Sequence, residues 1–356
     1  MEQGISRGLR RHLKHALITA GLETSFVLDK LGLLRDASGA GAIFTLHHVR
    51  PHTARVLEPN RHLEITPEFL DLVIRRLRGE GYVFAVLDEV PALMATKGAP
   101  RFIAFTLDDG NRNNLEHALP VFQRHGVPFT VFVSQGLSEH THGMWWETLA
   151  ELLSGLDHVN FDFGAGVERV DLTVVGQKQQ AFDRFAAYIN RSDEAGAVDA
   201  IDKLARSHGV EPLDIVRALI MDREDLKTLA ANPLASLGAH TVGHRALARL
   251  SEADATAEMA ISADYVASIT GVRPLSIAYP YGTVSAVGAR EASLASALGF
   301  EIGVTTRPDV VTAAMSSATT MLPRLSLNGF YQKARYASAL ASGIPVRLEG
   351  GLIGRS

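Results

Sequence analysis

Asp108 and Asp109 stand side by side, directly after the apolar run FIAFTL and just before Gly110. Neighbouring carboxylates repel unless a cation or hydrogen bonds offset the repulsion, so this pair points to cation binding or acid–base work. His240 and His244 lie in SLGAHTVGH, again at the end of an apolar run. Four residues apart, two imidazoles reach one side of a helical turn, while Gly243 between them favours a loop or a first turn. Two imidazoles and one carboxylate make an open site for zinc or iron, with a position left for water or substrate. In a third run, IAYPYG, Pro280 restricts Tyr279 to extended backbone and Gly282 frees a turn. A loop of that kind can aim a backbone N–H at an oxyanion. Each motif also has a plain structural use: a turn at Asp109-Gly110, hydrogen-bonded histidines, and tyrosines packed at a strand exit.

These groups converge only if their strands end on one face of a sheet. From residue 41 the chain alternates short apolar runs with amphipathic helical stretches: AIFTLHHV, a helix opened by Thr66-Pro67-Glu68, YVFAVL, VPALMAT, RFIAFTL, LEHALPVFQRHG and PFTVFV. Strands apolar on both faces indicate a parallel sheet covered by helices. Between residues 145 and 233 the rhythm breaks into a hairpin (VNFDFG, VERVDLTVVG) and two helices, which reads as an inserted lid. It resumes at LASLGAH and runs to TMLPRLSL. About seven strand–helix units give an α/β barrel as the first expectation and an open doubly wound sheet as the second. The expected organisation is a helical leader at 1–38, a barrel domain at 39–340 with an insertion at about 145–233, and a tail at 341–356.

Composition narrows the partners. Apolar residues make up 46% and charged residues 21% of the 356 positions, as in globular proteins. The net charge of -4 gives no reason to expect nucleic acid. The chain has no cysteine, which removes disulfides, thiolate ligands and thiol nucleophiles. No apolar stretch has the roughly 20 residues needed to cross a bilayer. In the leader, Leu9, Leu13, Ala16, Leu17 and Ala20 recur at helical spacing opposite Arg7, Arg10, Arg11 and Lys14. That pattern predicts an amphipathic helix packed on the domain, with membrane-surface contact as the other use of a basic face. A cytoplasmic location is expected.

TLDDG at 106–110, HTVGH at 240–244 and AYPYG at 278–282, in that order, resemble the first three motifs of the polysaccharide deacetylases, carbohydrate esterase family four. That family includes the nodulation-type chitooligosaccharide deacetylases. The resemblance spans roughly residues 40–330 and implies a distorted (β/α) barrel that hydrolyses acetyl groups from an N-acetylated oligo- or polysaccharide. It implies Asp108 as general base and Asp109, His240 and His244 as ligands of a divalent cation, with Zn2+ first and cobalt, manganese or iron as alternatives. It also implies Thr241 as the residue bracing the loop and the Tyr281 N–H as the oxyanion donor.

Two departures stand out. Ala278 occupies the place of an arginine that orients the base, and LPRLSLNG lacks the histidine that usually serves as acid. His47, at the end of TLHHV, is the candidate for that acid, with His48 on the other side of the strand. It resembles a histidine of the deacetylases acting on exported glucosamine polymers. Arg324 is the candidate partner of Asp108, and with Tyr279 and Trp145 it is also a candidate substrate contact. Trp145 and Trp146 could stack on a sugar face or anchor the lid. The other functions consistent with these motifs are an amidohydrolase for a non-sugar amide and a catalytically silent carbohydrate-binding protein.

Overall fold

The computed structural model describes residues 2–353, with side chains from Leu13 to Glu349. Its main sheet is parallel throughout: β1 (Gly41–Leu46), β2 (Val83–Phe84), β3 (Phe102–Leu107), β4 (Phe129–Val133), β5 (Ala235–Ala239), β6 (Ser276–Ala278), β7 (Ile302–Val304) and β8 (Leu325–Ser326). The order is β7-β6-β5-β4-β3-β1-β8, and β2 lines the first half of β3. Residues 322–326 then tie the two edges together. Leu322 exchanges bonds with β7 through Gly303 O (2.8 Å) and Thr305 N (2.9 Å), and Leu325 pairs with Phe44 of β1. The result is a distorted (β/α) barrel.

Side-chain alternation divides each strand between two dry environments. Phe44, Leu46, Phe105, Leu107, Phe129 and Val131 face outward, against Phe69, Val73 and Leu77 of the helix Pro67–Gly79 and Phe122 of the helix Leu119–His125. Ile43, Phe102, Ala104, Phe132, Ala278 and Val304 fill the barrel interior. Burial on both faces explains why these strands read as unbroken apolar runs. Thr106 and Asp108 continue the inward series of Phe102 and Ala104, which carries a carboxylate to the barrel mouth.

The segment YVFAVL is shorter as a strand than expected. Only Val83–Phe84 pairs, and the chain then turns through Leu87–Glu89 into the helix Val90–Ala95, where Pro91 suits the first turn. The inserted lid has its own core. The helices Trp145–Gly155, Val175–Arg191 and Glu194–Ser207 and the antiparallel hairpin His158–Asp162/Val167–Asp171 bury Leu149, Val159, Phe161, Phe185 and Ile201 together. A fourth helix, Pro212–Leu219, completes this unit. The helix Arg223–Ala230, inside the span expected for the insertion, instead sends Leu226 and Leu229 into the outer core of the barrel.

The leader is one helix, Glu2–Lys30, but it docks through a face other than the expected one. Ile18, Leu22 and Phe26 pack against Tyr336, Ala339 and Leu340, leaving Leu13 58% and Leu17 64% exposed. Periodicity alone did not separate two apolar stripes on one helix. Leu9, Arg7, Arg10 and Arg11 lie outside the residues whose side chains are described. The region expected as a tail forms a helix, Ile344–Ile353, held in part by an Arg347–Asp36 ion pair of 2.6 Å. Among the described residues, no helix is long and apolar enough to cross a membrane.

Phe132 fills the interior at the expense of β5: a Cβ on Gly238 would lie 2.4 Å from its ring. Gly238→Ala is therefore expected to lower stability by about 1–3 kcal/mol through overpacking. Urea denaturation measures it, and an unchanged midpoint would show that the ring moves aside freely.

Candidate active site

The mouth of the barrel gathers the three motifs. Asp109 leaves β3 in the left-handed region, φ 73°, and Gly110 follows at 74°. Asp109 Oδ1 lies 3.4 Å from His240 Nε2 and 3.3 Å from His244 Nε2. One ligand atom from each of the three residues lies within 4.8 Å of the others. His240 extends β5, its N–H reaching Val133 O at 3.0 Å, and its Nδ1 donates to Ala278 O at 2.7 Å. Since a carbonyl only accepts, the proton sits on Nδ1 and the Nε2 lone pair faces Asp109. A loop joins the two histidines, as Gly243 favours, and not a helical turn. Thr241 (φ 63°) and His244 (φ 50°) are both left-handed, and the loop doubles back with Thr241 Oγ1 accepting from His244 N at 3.1 Å. Glu258, on the helix Glu252–Thr270, accepts from Val242 N and Gly243 N at 2.8 Å each.

Asp109 Oδ1 is buried and accepts no hydrogen bond among the described residues. An orphaned carboxylate oxygen facing two imidazole nitrogens is a donor set that fits a divalent cation such as zinc.

The sequence profile described as "Polysaccharide deacetylase" matches residues 95–164 and 171–302, more than half of the chain. The chain belongs to the polysaccharide deacetylase family. Solved structures share the fold. The deacetylase PplD of Streptococcus pyogenes, in complex with acetate, superposes with a TM-score of 0.52 at 18% identity, covering 81% of this chain and 92% of that one. IcaB from Ammonifex degensii gives 0.52 at 16%, covering 83% and 96%. BC0361, a polysaccharide deacetylase from Bacillus cereus, gives 0.52 at 14%, covering 84% and 68%. No curated protein matches the chain significantly.

In this polysaccharide deacetylase, Asp108 is held by Arg324. Nη1 donates to Oδ1 at 2.7 Å and Nη2 to Oδ2 at 2.6 Å, a bidentate pair. The guanidinium also donates to Thr305 O (2.9 Å) and Thr106 Oγ1 (3.0 Å) and lies over Phe132, in the layer that contains Ala278. The arginine missing at 278 is thus supplied by the segment that closes the barrel. Burial alone would raise the Asp108 pKa, but Arg324 outweighs it and holds the carboxyl below its ordinary value. Burial would likewise raise Asp109, and the two histidines hold it well below.

The third motif bends at Tyr281, φ 61°, beside Gly282, where a Cβ would meet Thr306 N at 2.4 Å. The Tyr281 N–H donates no hydrogen bond among the described residues. Its hydroxyl accepts from Trp145 Nε1 at 3.0 Å and donates to Glu194 Oε1 at 2.8 Å. Glu194 Oε2 in turn accepts from Ala246 N at 3.0 Å, so the lid pins two of the site's loops.

A cavity of about 420 Å³ opens here, lined by His47, Asp108, Asp109, His240, His244 and Tyr281, with aromatic walls from Trp145, Trp146 and Phe182. Burial lowers the His47 pKa against the opposing pull of Asp109 and Asp108. His48 turns away, as expected, onto Asn113 at 2.9 Å. Two candidate substrate contacts are corrected. Tyr279 is 1% exposed and its hydroxyl donates to Thr320 O at 2.8 Å, because strand alternation sends it into the core with Val287 and Phe300. Arg324, also 1% exposed, serves Asp108 and does not line the cavity. Trp145 does line it. Sequence reasoning missed Phe182, Asn60, His62, Glu194 and Glu258. Only Phe182 had a signal, an aromatic residue on a predicted lid helix.

Arg324→Met leaves Asp108 buried without its cation and is expected to cost about 3–5 kcal/mol of stability. Arg324→Lys keeps the charge but loses the fork, so it should recover stability while turnover stays at least about tenfold down. Wild-type turnover in the lysine variant would contradict the orienting role.

Proposed function

We propose that the chain hydrolyses N-acetyl groups from an amino-sugar oligo- or polysaccharide such as a chitooligosaccharide, using a divalent cation, zinc first, at Asp109, His240 and His244. The observation that carries this is the orphaned Asp109 oxygen facing two imidazole nitrogens, next to a second aspartate free of that cluster. The aromatic walls suit the apolar face of a pyranose ring.

When bound, such a cation would polarise the acetyl carbonyl and acidify water. Asp108, fixed by Arg324, accepts a proton from the attacking water as the new carbon–oxygen bond forms. The Tyr281 N–H, unspent among the described residues, donates to the oxyanion. As the carbon–nitrogen bond breaks, the departing amine needs a proton, which we assign to His47 in its imidazolium form, the state that Asp109 and Asp108 favour against burial. His62 lines the same cavity, with Nδ1 at 3.2 Å from Pro59 O, and is the control for that assignment.

The leader supports a second, independent proposal of membrane-surface contact. The helix exposes Leu13, Leu17 and Lys14, and its sequence carries Arg7, Arg10 and Arg11, a charge suited to anionic lipid.

Acetate release from N-acetylated chitooligosaccharides should vanish after chelator dialysis and return with zinc. Asp108→Asn should lower turnover by about 10²–10⁴-fold with metal content intact. His47→Gln should also lower turnover, and His62→Gln should not. Chelator-resistant release would overturn the cation, and equal effects of the two histidine variants would remove His47 from the mechanism. Vesicles containing anionic lipid should co-sediment the wild type and not a Leu13→Ser/Leu17→Ser variant; equal sedimentation would exclude this face.

A further inference from the structure

A second cavity, of about 510 Å³, adjoins the first. Asn60 lines both, and the consecutive residues Trp146 and Glu147 line one each. Asn60 is 5% and Glu147 8% exposed. Asn60 Nδ2 donates to Trp146 O (3.0 Å) and Glu147 Oε1 (2.9 Å). Asn60 Oδ1 and Glu147 Oε2 accept no hydrogen bond among the described residues, and although Arg50 and Arg55 also line the cavity, the carboxylates Glu58, Glu64, Glu147 and Glu151 outnumber them. The nearby guanidiniums do not neutralise Glu147, because Arg50 (2.8 Å) and Arg55 both pair with Glu64. Burial without a paired cation pushes Glu147 up to about 7. Glu151 stands at the rim, and Leu57, Ile215 and Leu219 supply apolar surface.

A ligand for this cavity must carry donors, positive charge and an apolar face. An amino sugar with a free amine has all three, and it is what removal of an N-acetyl group leaves behind. We propose that the second cavity is a subsite for a de-N-acetylated amino-sugar unit adjoining the unit whose acetyl group is removed. The preferred substrate class is therefore a partly deacetylated chain, with Glu147 and Asn60 reading the ammonium of the neighbour. This rests on the deacetylase reading above, and the test separates the two.

Binding of the β-1,4-linked glucosamine dimer and of its fully N-acetylated counterpart is measured by calorimetry at one pH, for the wild type, Glu147→Gln and Glu151→Gln. Glu147→Gln keeps the acceptor for Asn60 and removes the charge. The wild type should bind the free-amine dimer about tenfold more tightly than the acetylated one, in keeping with a charge-assisted hydrogen bond. That ratio should fall to about one in Glu147→Gln, and by a smaller factor in Glu151→Gln should the glutamine at 147 prevent folding. A wild-type ratio of one, or a ratio unchanged in the folded variants, overturns the subsite. Acetate release from the acetylated oligomers is followed in parallel: amine selectivity without any release would refute the deacetylase reading and leave the subsite standing.

Discussion

Two carboxylates, adjacent in sequence and both almost wholly buried, sit at the mouth of the barrel, and the fold surrounds them in two different ways. Asp108 receives a guanidinium on both oxygens. Asp109 receives two imidazoles on one oxygen at distances too long for good hydrogen bonds, which leaves that oxygen unsatisfied. On the function proposed above, the first aspartate is the oriented base and its neighbour a cation ligand. Burying two such charges without compensation would cost several kcal/mol each.

The compensation is tied to how the barrel closes. Arg324 lies within residues 322–326, which hydrogen-bond to β7 on one side and β1 on the other, so the closing segment also fixes Asp108. Around the mouth, Asp109, Thr241, His244 and Tyr281 all hold left-handed backbone, a conformation that costs non-glycine residues about 1–3 kcal/mol each. Thr241, Glu258, Glu194 and Thr306 bond these loops in place. Strain of this kind persists where the surroundings over-determine it, and here it accompanies the gathering of Asp109, His240, His244 and Tyr281 around one cavity.

Much of this was legible in the sequence. Apolar runs ending in DDG, HTVGH and AYPYG announced parallel strands delivering polar groups to one end, and the convergence of Asp108, Asp109, His240 and His244 followed from that topology. Arg324 was legible as a partner of Asp108 only because Ala278 left a gap to fill. Tyr279 misled, since Pro280 disguises a residue that still follows strand alternation into the core. The leader misled for a related reason: it carries two apolar stripes, and which one docks depends on Tyr336 and Ala339, some 300 residues away. Asn60, Glu194 and Glu258 were illegible because their roles arise from contacts between distant segments, with no local pattern to mark them.

The central claim is that Asp109, His240 and His244 bind one divalent cation together. X-ray absorption at the zinc edge of protein loaded with one equivalent of zinc tests it most directly. The account predicts a first shell of nitrogen and oxygen with outer-shell scattering from two imidazoles, reduced to one imidazole in His244→Ala. A shell without imidazole scattering, or a spectrum indifferent to that substitution, would contradict it.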